Sequence, residues 1–393
     1  MNLKKAAKCG LLLVGLAVAL GCIPRIANAQ RAQATAARAT TFAYVGSRTT
    51  KERNARGDGI NVYSIDGATG KWRHVQLVKD LVNPSFLALD QKAHHLYAVH
   101  GDLSEVSAFS IDPASGKLNF INQQATGGKN PVHLLVDPTN KFLTVANYAS
   151  GSLATLPING DGSLGPLVDL RTLTGEPGPH KTQQGSSHPH QVVLDPAGKF
   201  LVVPDKGLDR IFSFRLDSVS GKLSPAPSAS VAGREGSGTR HIAFHPQRPF
   251  AYVMNELDST VTAYSYGAAN AELTPLQILP TVPADFTGNN TGAEIAIASS
   301  GRFVYGSNRG HDSIVTYRVD PKNGTLKAVG WQPSHGTGPR FLAIDPTQKF
   351  LYVANENSDS IVTFRIDTVS GGLVPTAQTI STGSPVCIVF AEL

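Results

Sequence analysis

The chain has 393 residues, of which 41% are hydrophobic and 16% are charged, a composition that provides a packed core and excludes a disordered chain. The formal net charge of +6 falls to +2 when the four basic residues of the first 29 positions, Lys4, Lys5, Lys8 and Arg25, are left out. So small a charge excludes nucleic-acid binding by bulk electrostatics.

The first 29 residues have the parts of a secretory signal peptide. Lysines precede an apolar run at residues 11–20, and the small residues at 27–29 (ANA) form a cleavage site before Gln30. The apolar run is too short to be a membrane span, so we predict export to the periplasm or the medium. Residues 19–22 (ALGC) loosely resemble a lipoprotein box, which leaves a lipid anchor at Cys22 as the alternative.

Two further segments follow the signal peptide. Residues 30–40, rich in Ala, Arg and Gln, predict a flexible leader, and residues 41–393 predict one domain. Cys9 and Cys22 lie in the signal peptide, so Cys387 is alone in the mature chain and no internal disulfide can form. Cys387 stands in an apolar run, where we expect a small buried residue rather than a reactive thiol.

A repeat of about 50 residues runs through the predicted domain. Residues 131–138 (PVHLLVDP) and 141–147 (KFLTVAN) match residues 339–346 (PRFLAIDP) and 349–355 (KFLYVAN). Related copies start near positions 84, 131, 189, 239, 292, 339 and 385. Each full copy has two apolar runs joined by a turn, a third alternating run and a short last strand. Seven such copies predict an all-β, seven-bladed β-propeller with four-stranded antiparallel blades.

The last copy is incomplete. Residues 385–390 (PVCIVF) end the repeat, and residues 41–46 (TFAYVG) have the pattern of the strand that should follow. We predict that the N-terminal and C-terminal strands pair in one blade, because this closes the ring and leaves no exposed strand edges at the joint.

Polar residues occupy positions that should ring the central channel. The second residue of each copy is in turn Ser85, Val132, His190, Arg240, Ala293, Arg340 and Val386. Packing alone would favour small or apolar residues there. The second run ends at Asn147, Asp205, Asn255, Asn308 and Asn355 in five copies, and Glu256, Arg309 and Glu356 follow the last three of these. The polar residues cluster in consecutive copies, which favours a site over a generic polar channel.

Four motifs resemble those of the seven-bladed propeller lactonases, a family that includes bacterial 6-phosphogluconolactonases and fungal carboxymuconate cyclases. They are residues 188–191 (HPHQ), 238–241 (GTRH), 255–257 (NEL) and 307–313 (SNRGHDS). The resemblance extends from about Thr41 to the C-terminus. It implies a site in the central cleft with a His, two Arg and a Glu, matched here by His190, Arg240, Arg309 and Glu256.

These four residues suit lactone hydrolysis. His190 or Glu256 could activate water, and Arg240 or Arg309 could stabilise the oxyanion or hold an anionic substituent such as phosphate. Glu256 should stay ionised between two Arg residues and therefore be a poor general acid. Our hypothesis is that His190 is the base and that Glu256 orients it or the water. No metal or cofactor is predicted, because His188, His190 and Asp205 lack a familiar ligand spacing.

Five more residues are candidate substrate contacts: His188, Arg340, Asn255, Asn308 and Asp205. The alternatives are structural. His188 and His190 could cap a turn, Glu256 could pair with Arg240 or Arg309 to join blades, and the Asn and Asp side chains could bond local backbone.

Other histidines and one long segment complete the candidates. His241, His245, His311 and His335 are expected at the surface or behind the site. The loop at residues 175–187 could cover the cleft with His180 and Lys181, or be a solvated insertion.

Three functions remain open on sequence grounds. The first is hydrolysis of a small-molecule sugar lactone by a monomer; for an exported enzyme, an aldonolactone from periplasmic sugar oxidation fits better than 6-phosphogluconolactone, whose pathway is cytosolic. The second is a muconate-type lactonising cyclase, which would use the same cations for two carboxylates. The third is a non-catalytic exported propeller that acts as a binding module.

Overall fold

The computed structural model describes residues 40–393. The predicted signal peptide (1–29), Cys22 and all but the last residue of the predicted leader (30–40) lie outside the described residues. Within residues 40–393 the chain forms seven four-stranded antiparallel sheets, which are the predicted blades of a propeller. Two short 3₁₀ helices, Lys51–Arg53 and Glu356–Ser358, are the helical elements of this part of the chain.

Each blade runs from an inner strand beside the channel to an outer strand at the rim. Blades 1 to 4, each given from inner to outer strand, are β28 (Pro385–Glu392), β1 (Thr41–Ser47), β2 (Ile60–Ile65), β3 (Trp72–Val78); β4 (Pro84–Leu89), β5 (His95–His100), β6 (Glu105–Ile111), β7 (Leu118–Ala125); β8 (Pro131–Val136), β9 (Phe142–Asn147), β10 (Ser152–Pro157), β11 (Asp169–Thr172); and β12 (Val193–Leu194), β13 (Leu201–Asp205), β14 (Arg210–Leu216), β15 (Leu223–Ala232).

The remaining three blades follow the same order. Blades 5 to 7 are β16 (Thr239–Phe244), β17 (Phe250–Asn255), β18 (Thr260–Gly267), β19 (Glu272–Pro280); β20 (Thr291–Ile297), β21 (Phe303–Arg309), β22 (Ser313–Val319), β23 (Leu326–Pro333); and β24 (Pro339–Ile344), β25 (Phe350–Asn355), β26 (Ser360–Ile366), β27 (Leu373–Ser381).

The hydrophobic core lies between the blades. In the described chain, each of the seven buried apolar clusters draws its side chains from two neighbouring sheets; one example joins Tyr44 and Ile60 of blade 1 to Leu96 and Phe109 of blade 2. Buried tyrosines add polar links, as where Tyr44 Oη donates to the Gly116 carbonyl at 2.9 Å. Because the blades pack against each other on both faces, a strand such as β1 is buried at every position instead of alternating between buried and exposed residues.

Blade 1 closes the ring as predicted. Strand β28 pairs antiparallel with β1 from Thr41–Glu392 to Ser47–Pro385, which joins the two ends of the described chain in one sheet. Cys387 lies in β28, is fully buried and has no disulfide partner in this part of the chain, and burial raises the pKa of its thiol. The expectation of a small buried residue is confirmed.

A one-residue register shift occurs near the start of six of the seven inner strands. In five of them Ser85, Val132, Arg240, Arg340 and Val386 each stand at such a bulge without an opposite partner. A β-bulge twists the strand and re-aims the side chain of the extra residue. This explains why the second residue of these five copies faces the channel.

Blades 4 and 6 differ from the sequence prediction. In blade 6 the shift falls between Gly292 and Ile295, and Glu294 rather than Ala293 lines the channel. In blade 4 the inner strand β12 has only two residues, and Pro189 keeps a single isolated bridge to Asp205. Proline has no N–H for a full ladder, and His190 consequently lies outside a regular strand.

Candidate active site

The central channel opens at one face into a polar cleft of about 180 Å³, room for a small molecule rather than a protein segment. Basic groups outnumber acidic ones, because Glu256 is the single carboxylate among the described lining residues. The lining consists of Arg48, Arg53, Asn130, Val132, Tyr148, Gln183, His190, Lys206, Glu256, Arg309 and Arg340.

Two rings of equivalent positions supply most of this lining. The bulges of the inner strands supply Val132, Arg340 and, in blade 4, His190. The second ring stands where the second strand of each blade ends at the channel, and it consists of Arg48, Gly101, Tyr148, Lys206, Glu256, Arg309 and Glu356. The repeated geometry of the blades therefore brings side chains from distant parts of the sequence together at the cleft.

Glu256 is the centre of a buried ion cluster. Its Oε1 accepts from Lys206 Nζ at 3.1 Å, and its Oε2 accepts from Arg240 Nε at 3.0 Å and pairs with Arg309 Nη2 at 3.2 Å. Burial raises the pKa of this carboxyl, but the surrounding cations, Arg309 first, outweigh burial and hold the pKa well below its usual range. These three ion pairs favour the ionised form of Glu256, as the sequence predicts, and Lys206 is a third cation that the sequence analysis did not name.

His190 begins a buried hydrogen-bonded chain. Its Nδ1 lies 3.1 Å from His241 Nε2, and His241 Nδ1 lies 2.8 Å from Glu294 Oε1. The other ring nitrogen, Nε2, makes no hydrogen bond to residues 40–393, and the side chain borders the cleft. Burial and then Arg240 lower the pKa of both imidazoles, which favours the neutral form of each ring. His190 pairs with His241 rather than with Glu256, which three cations already engage. That Glu256 orients the water, the other alternative, stays a prediction.

Arg240 lies beneath the cleft rather than in it. It is 2% exposed, donates from Nε to Glu256 and from Nη1 to the Ala293 carbonyl, and lines a smaller cavity that it shares with His241 and Glu294. Burial and then Arg309 lower the pKa of its guanidinium to about 9.

A second group of cations lies in blades 1 and 7 and borders the same cleft as His190 and Glu256. Arg48 Nε and Arg340 Nη1 lie 3.7 and 3.6 Å from the two carboxylate oxygens of Glu356. Arg48 Nη1 is buried and has no hydrogen-bond partner in the described chain; Asp102 Oδ2 is 3.8 Å away. These loose ion pairs leave donors available for an anion in the cleft.

Four predicted substrate contacts are corrected by the structure, since none of them lines the central cleft. His188 Nδ1 donates to the Tyr148 carbonyl at 2.9 Å, and its ring stacks on the Tyr148 ring at 4.4 Å. Asp205 accepts from the backbone N–H groups of Gly207 and Leu208, which form a tight turn. For Asp205 this is the structural alternative that the sequence analysis names, a side chain bonded to local backbone.

The two strand-end asparagines are likewise used inside the protein. Asn255 Nδ2 donates to Thr260 and Thr262 Oγ1, each at 2.9 Å, and Asn308 Nδ2 donates to the Thr281 carbonyl at 2.6 Å. Arg340 is the one residue of the five whose side chain reaches the cleft.

The loop at residues 175–187 does reach the cleft, but through other side chains than expected. Gln183 lines the cleft and accepts from Lys206 Nζ at 2.8 Å, while Gln184 Nε2 donates to the Lys206 carbonyl at 2.9 Å. His180 and Lys181 are exposed and are not part of the lining.

Sequence reasoning missed Arg48, Tyr148, Lys206, His241 and Glu294 as site residues. The repeat itself could have identified them. Arg48, Tyr148 and Lys206 each follow the end of a second strand, as Glu256 does. His241 and Glu294 occupy the repeat position that holds Phe86 in blade 2 and Phe341 in blade 7. His241 does lie behind the site, one of the two places expected for it.

Within residues 40–393, no group of three or more His, Cys, Asp or Glu side chains is arranged to hold a metal ion. No helix in the same residues is long and apolar enough to cross a membrane.

Comparison with known proteins identifies similar chains along nearly the whole domain. The family model described as "Lactonase, 7-bladed beta-propeller" matches residues 42–390. A 6-phosphogluconolactonase of Bacillus subtilis is 36% identical over 349 residues, which cover 88% of this chain and 97% of the relative. A solved structure of a periplasmic gluconolactonase from Pseudomonas aeruginosa is 32% identical with a TM-score of 0.83, over 90% of this chain and 99% of the other.

Proposed function

The chain belongs to the seven-bladed β-propeller lactonase family, and from this premise we propose that it hydrolyses a sugar lactone in the central cleft. One observation carries the proposal: the unpartnered Nε2 of His190 borders the same small cleft as the Lys206 and Arg309 cations. A base and an oxyanion partner are thereby within reach of one bound carbonyl. The enzymatic relatives favour this reading over a binding module.

The reaction needs one proton to move twice. His190 Nε2 takes a proton from water while the water oxygen attacks the lactone carbonyl, and Lys206 and Arg309 stabilise the oxyanion. When the tetrahedral intermediate collapses, the ring C–O bond breaks and the leaving alkoxide takes the proton back from His190. The products are a free hydroxyl and a carboxylic acid, which then ionises.

Glu256 and Arg240 support these groups in the proposal. Ionised Glu256 holds Lys206, Arg240 and Arg309 in place, and Arg240 fixes Glu256 from below. The arrangement is preorganised, so the oxyanion meets cations that need no rearrangement at the moment of reaction. Glu256 therefore positions the cations rather than accepting the water proton.

We propose that Arg48 and Arg340 hold an anionic substituent of the substrate, such as a phosphate, and so favour an anionic lactone over a neutral one. The Arg48 Nη1 donor without a hydrogen-bond partner in the described chain supports this assignment.

We also propose that the chain is exported as a monomer after removal of residues 1–29, with a leader at 30–40 and the lactonase domain at 41–393. The similarity to the Pseudomonas relative, a periplasmic gluconolactonase, supports this location. Mass spectrometry of the mature protein should find Gln30 at its N-terminus, and a lipid on Cys22 would contradict signal-peptidase cleavage. Light scattering should give the mass of one chain.

A panel of lactones tests the catalytic proposal. The mature chain is assayed with glucono-1,5-lactone, its 6-phosphate and a muconolactone, with spontaneous hydrolysis subtracted. Hydrolysis of a sugar lactone that is lost in Arg309→Met supports the proposal. Turnover of the muconolactone alone would indicate the cyclase, and no turnover of any lactone would contradict an enzyme of this class.

A further inference from the structure

Three successive blades contribute one buried hydrogen-bonded chain that ends at the cleft. His190 stands in blade 4, His241 in blade 5 and Glu294 in blade 6, and they are 6%, 2% and 5% exposed. The links are His190 Nδ1 to His241 Nε2 at 3.1 Å and His241 Nδ1 to Glu294 Oε1 at 2.8 Å. Lactone hydrolysis as proposed above uses only the first of these residues.

The surroundings disfavour a positive charge on His190. Arg240 is the first of the cations that lower its pKa after burial, and Arg340 and Lys206 follow. A proton taken from water and kept on His190 would place an imidazolium among these three cations. Proton transfer to His190 alone therefore ends in an unfavourable state.

Glu294 is the complementary group, because it is a buried carboxyl with an incomplete set of partners. Its Oε1 accepts from His241 and from the Ile295 N–H at 3.1 Å, but its Oε2 is buried without a hydrogen bond in the described chain. An ionised carboxylate in this place keeps one oxygen unsatisfied. Burial raises the pKa of Glu294 to about 8, against the pull of Arg240 and Arg340.

We propose that His190, His241 and Glu294 form a proton relay, in which the proton that His190 Nε2 takes from water is balanced by transfer of a proton from His241 Nδ1 to Glu294 Oε1. The inference rests on the proposed lactonase function and adds two positioning residues to it. His241 and Glu294 act through His190 and do not touch the substrate.

The protons balance along the chain. Before the reaction His190 carries its proton on Nδ1, His241 on Nδ1, and Glu294 is ionised. When Nε2 of His190 gains the water proton, the Nδ1 proton passes to His241 Nε2, and the His241 Nδ1 proton passes to Glu294. Both imidazoles remain neutral, and the only change of charge is the neutralisation of Glu294. The collapse of the intermediate reverses these steps.

In the relay, whether His190 Nε2 has a free lone pair depends on the protonation state of Glu294. With Glu294 protonated, every proton in the chain points towards the cleft and Nε2 is a donor; with Glu294 ionised, Nε2 is a base. Activity should therefore rise with pH through the titration of the chain. The charged groups that face the chain and set its midpoint are Arg240, Arg340, Lys206, Glu256 and Arg309. His133 and Cys387 also face the chain, but burial lowers the pKa of the first and raises the pKa of the second, which favours their neutral forms.

Glu294→Gln tests the relay with nearly unchanged shape. In the wild type kcat/KM should rise with pH around a midpoint near 8, because burial raises the pKa of Glu294 to about 8. In Glu294→Gln this rise should disappear and kcat should fall about 10-fold to 100-fold, within the range of general acid–base effects. His241→Asn should give the same loss, and the double variant little more, because the two residues act as a unit.

His133→Asn is the matched control. His133 packs on the Phe86 ring at 4.0 Å and lies 5.7 Å from the His241 ring, but it has no hydrogen bond to the relay residues. It should keep the midpoint of the wild type. An unchanged pH profile in Glu294→Gln, or the same shift in His133→Asn, would overturn the relay.

A second measurement is independent of activity. The ¹⁵N shifts of labelled His190 and His241 should show the proton moving from Nε2 to Nδ1 on both rings as pH rises through the same midpoint, and Glu294→Gln should abolish this transition. Histidine shifts that keep one tautomer from pH 6 to 9 would refute the relay. If the tautomers switch but no lactone is hydrolysed, the relay stands and the proposed function fails.

Discussion

Lys206 Nζ donates to Glu256 Oε1 at 3.1 Å, which links blade 4 to blade 5 at the edge of the cleft. Gln183 Oε1 accepts from the same ammonium at 2.8 Å, and the Tyr148 ring lies 5.2 Å from it. The ammonium is thus held at a fixed place, which is what stabilisation of a developing oxyanion requires.

Lys206→Met should remove one cation from the oxyanion without removing the bulk of the side chain. We expect kcat/KM to fall about 100-fold to 1000-fold, the usual effect of losing an oxyanion partner. Steady-state hydrolysis of glucono-1,5-lactone measures this. Lys222→Met on the exposed surface is the control and should match the wild type. A loss below threefold in Lys206→Met would show that Lys206 serves structure alone.

His190→Gln should abolish general-base catalysis. The amide keeps a hydrogen-bonding group beside His241 but has no basic nitrogen, so kcat should fall by about 100-fold or more. His335→Gln, at an exposed position, should leave kcat unchanged. Retained turnover in His190→Gln would exclude His190 as the base.

Arg340→Met tests the proposed anion subsite. For the 6-phosphate lactone, KM should rise about 10-fold to 100-fold, as expected for loss of a charged hydrogen bond. For the neutral lactone, KM should change little. The ratio of the two kcat/KM values reports the effect, and Arg73→Met at an exposed site should leave the ratio unchanged. Equal losses on both substrates would argue that Arg340 does not recognise the substituent.

Glu256 should make the free energy of unfolding depend on pH in the acidic range. Its pKa is depressed from 4.5 by the neighbouring cations, so its contribution to stability is present above about pH 4.5 and is lost as pH falls towards the depressed value. Glu256→Gln leaves three buried cations unpaired and should cost about 3–5 kcal/mol near neutral pH. The difference in Tm from the wild type should shrink between pH 5 and pH 3. A constant difference would contradict the depressed pKa.

Ring closure should depend on the pairing of β1 with β28. Ile388 opposes Val45 in this pair and is 2% exposed. Ile388→Ala removes buried apolar volume, so the free energy of unfolding should fall by about 2–5 kcal/mol in urea denaturation. Val369→Ala, at a position that is 72% exposed, should stay within about 0.5 kcal/mol of the wild type. A neutral Ile388→Ala would show that blade 1 does not limit stability.

The repeat in the sequence was sufficient to predict the architecture of the domain. The predicted pairing of residues 41–46 with 385–390 and six of the seven blade starts agree with the structure, because the period and alternation of apolar residues specify which side chains must be buried. The exception is blade 4, whose inner strand begins at Val193 rather than near Pro189. The same repeat placed His190, Arg240 and Arg340 beside the channel. What it could not determine was depth: Arg240 lies below the cleft, since that depends on the local twist of each bulge.

Contacts between blades were decided by the tertiary structure alone. His190 and His241 are 51 positions apart and meet through the ring geometry, as do Lys206 and Glu256 at a separation of 50. Sequence patterns report which face of a strand a residue occupies, but a hydrogen bond between blades depends on distances set by packing in three dimensions. His188, Asp205, Asn255 and Asn308 show the same limit, because their polar atoms found partners inside the protein that only the folded chain brings near.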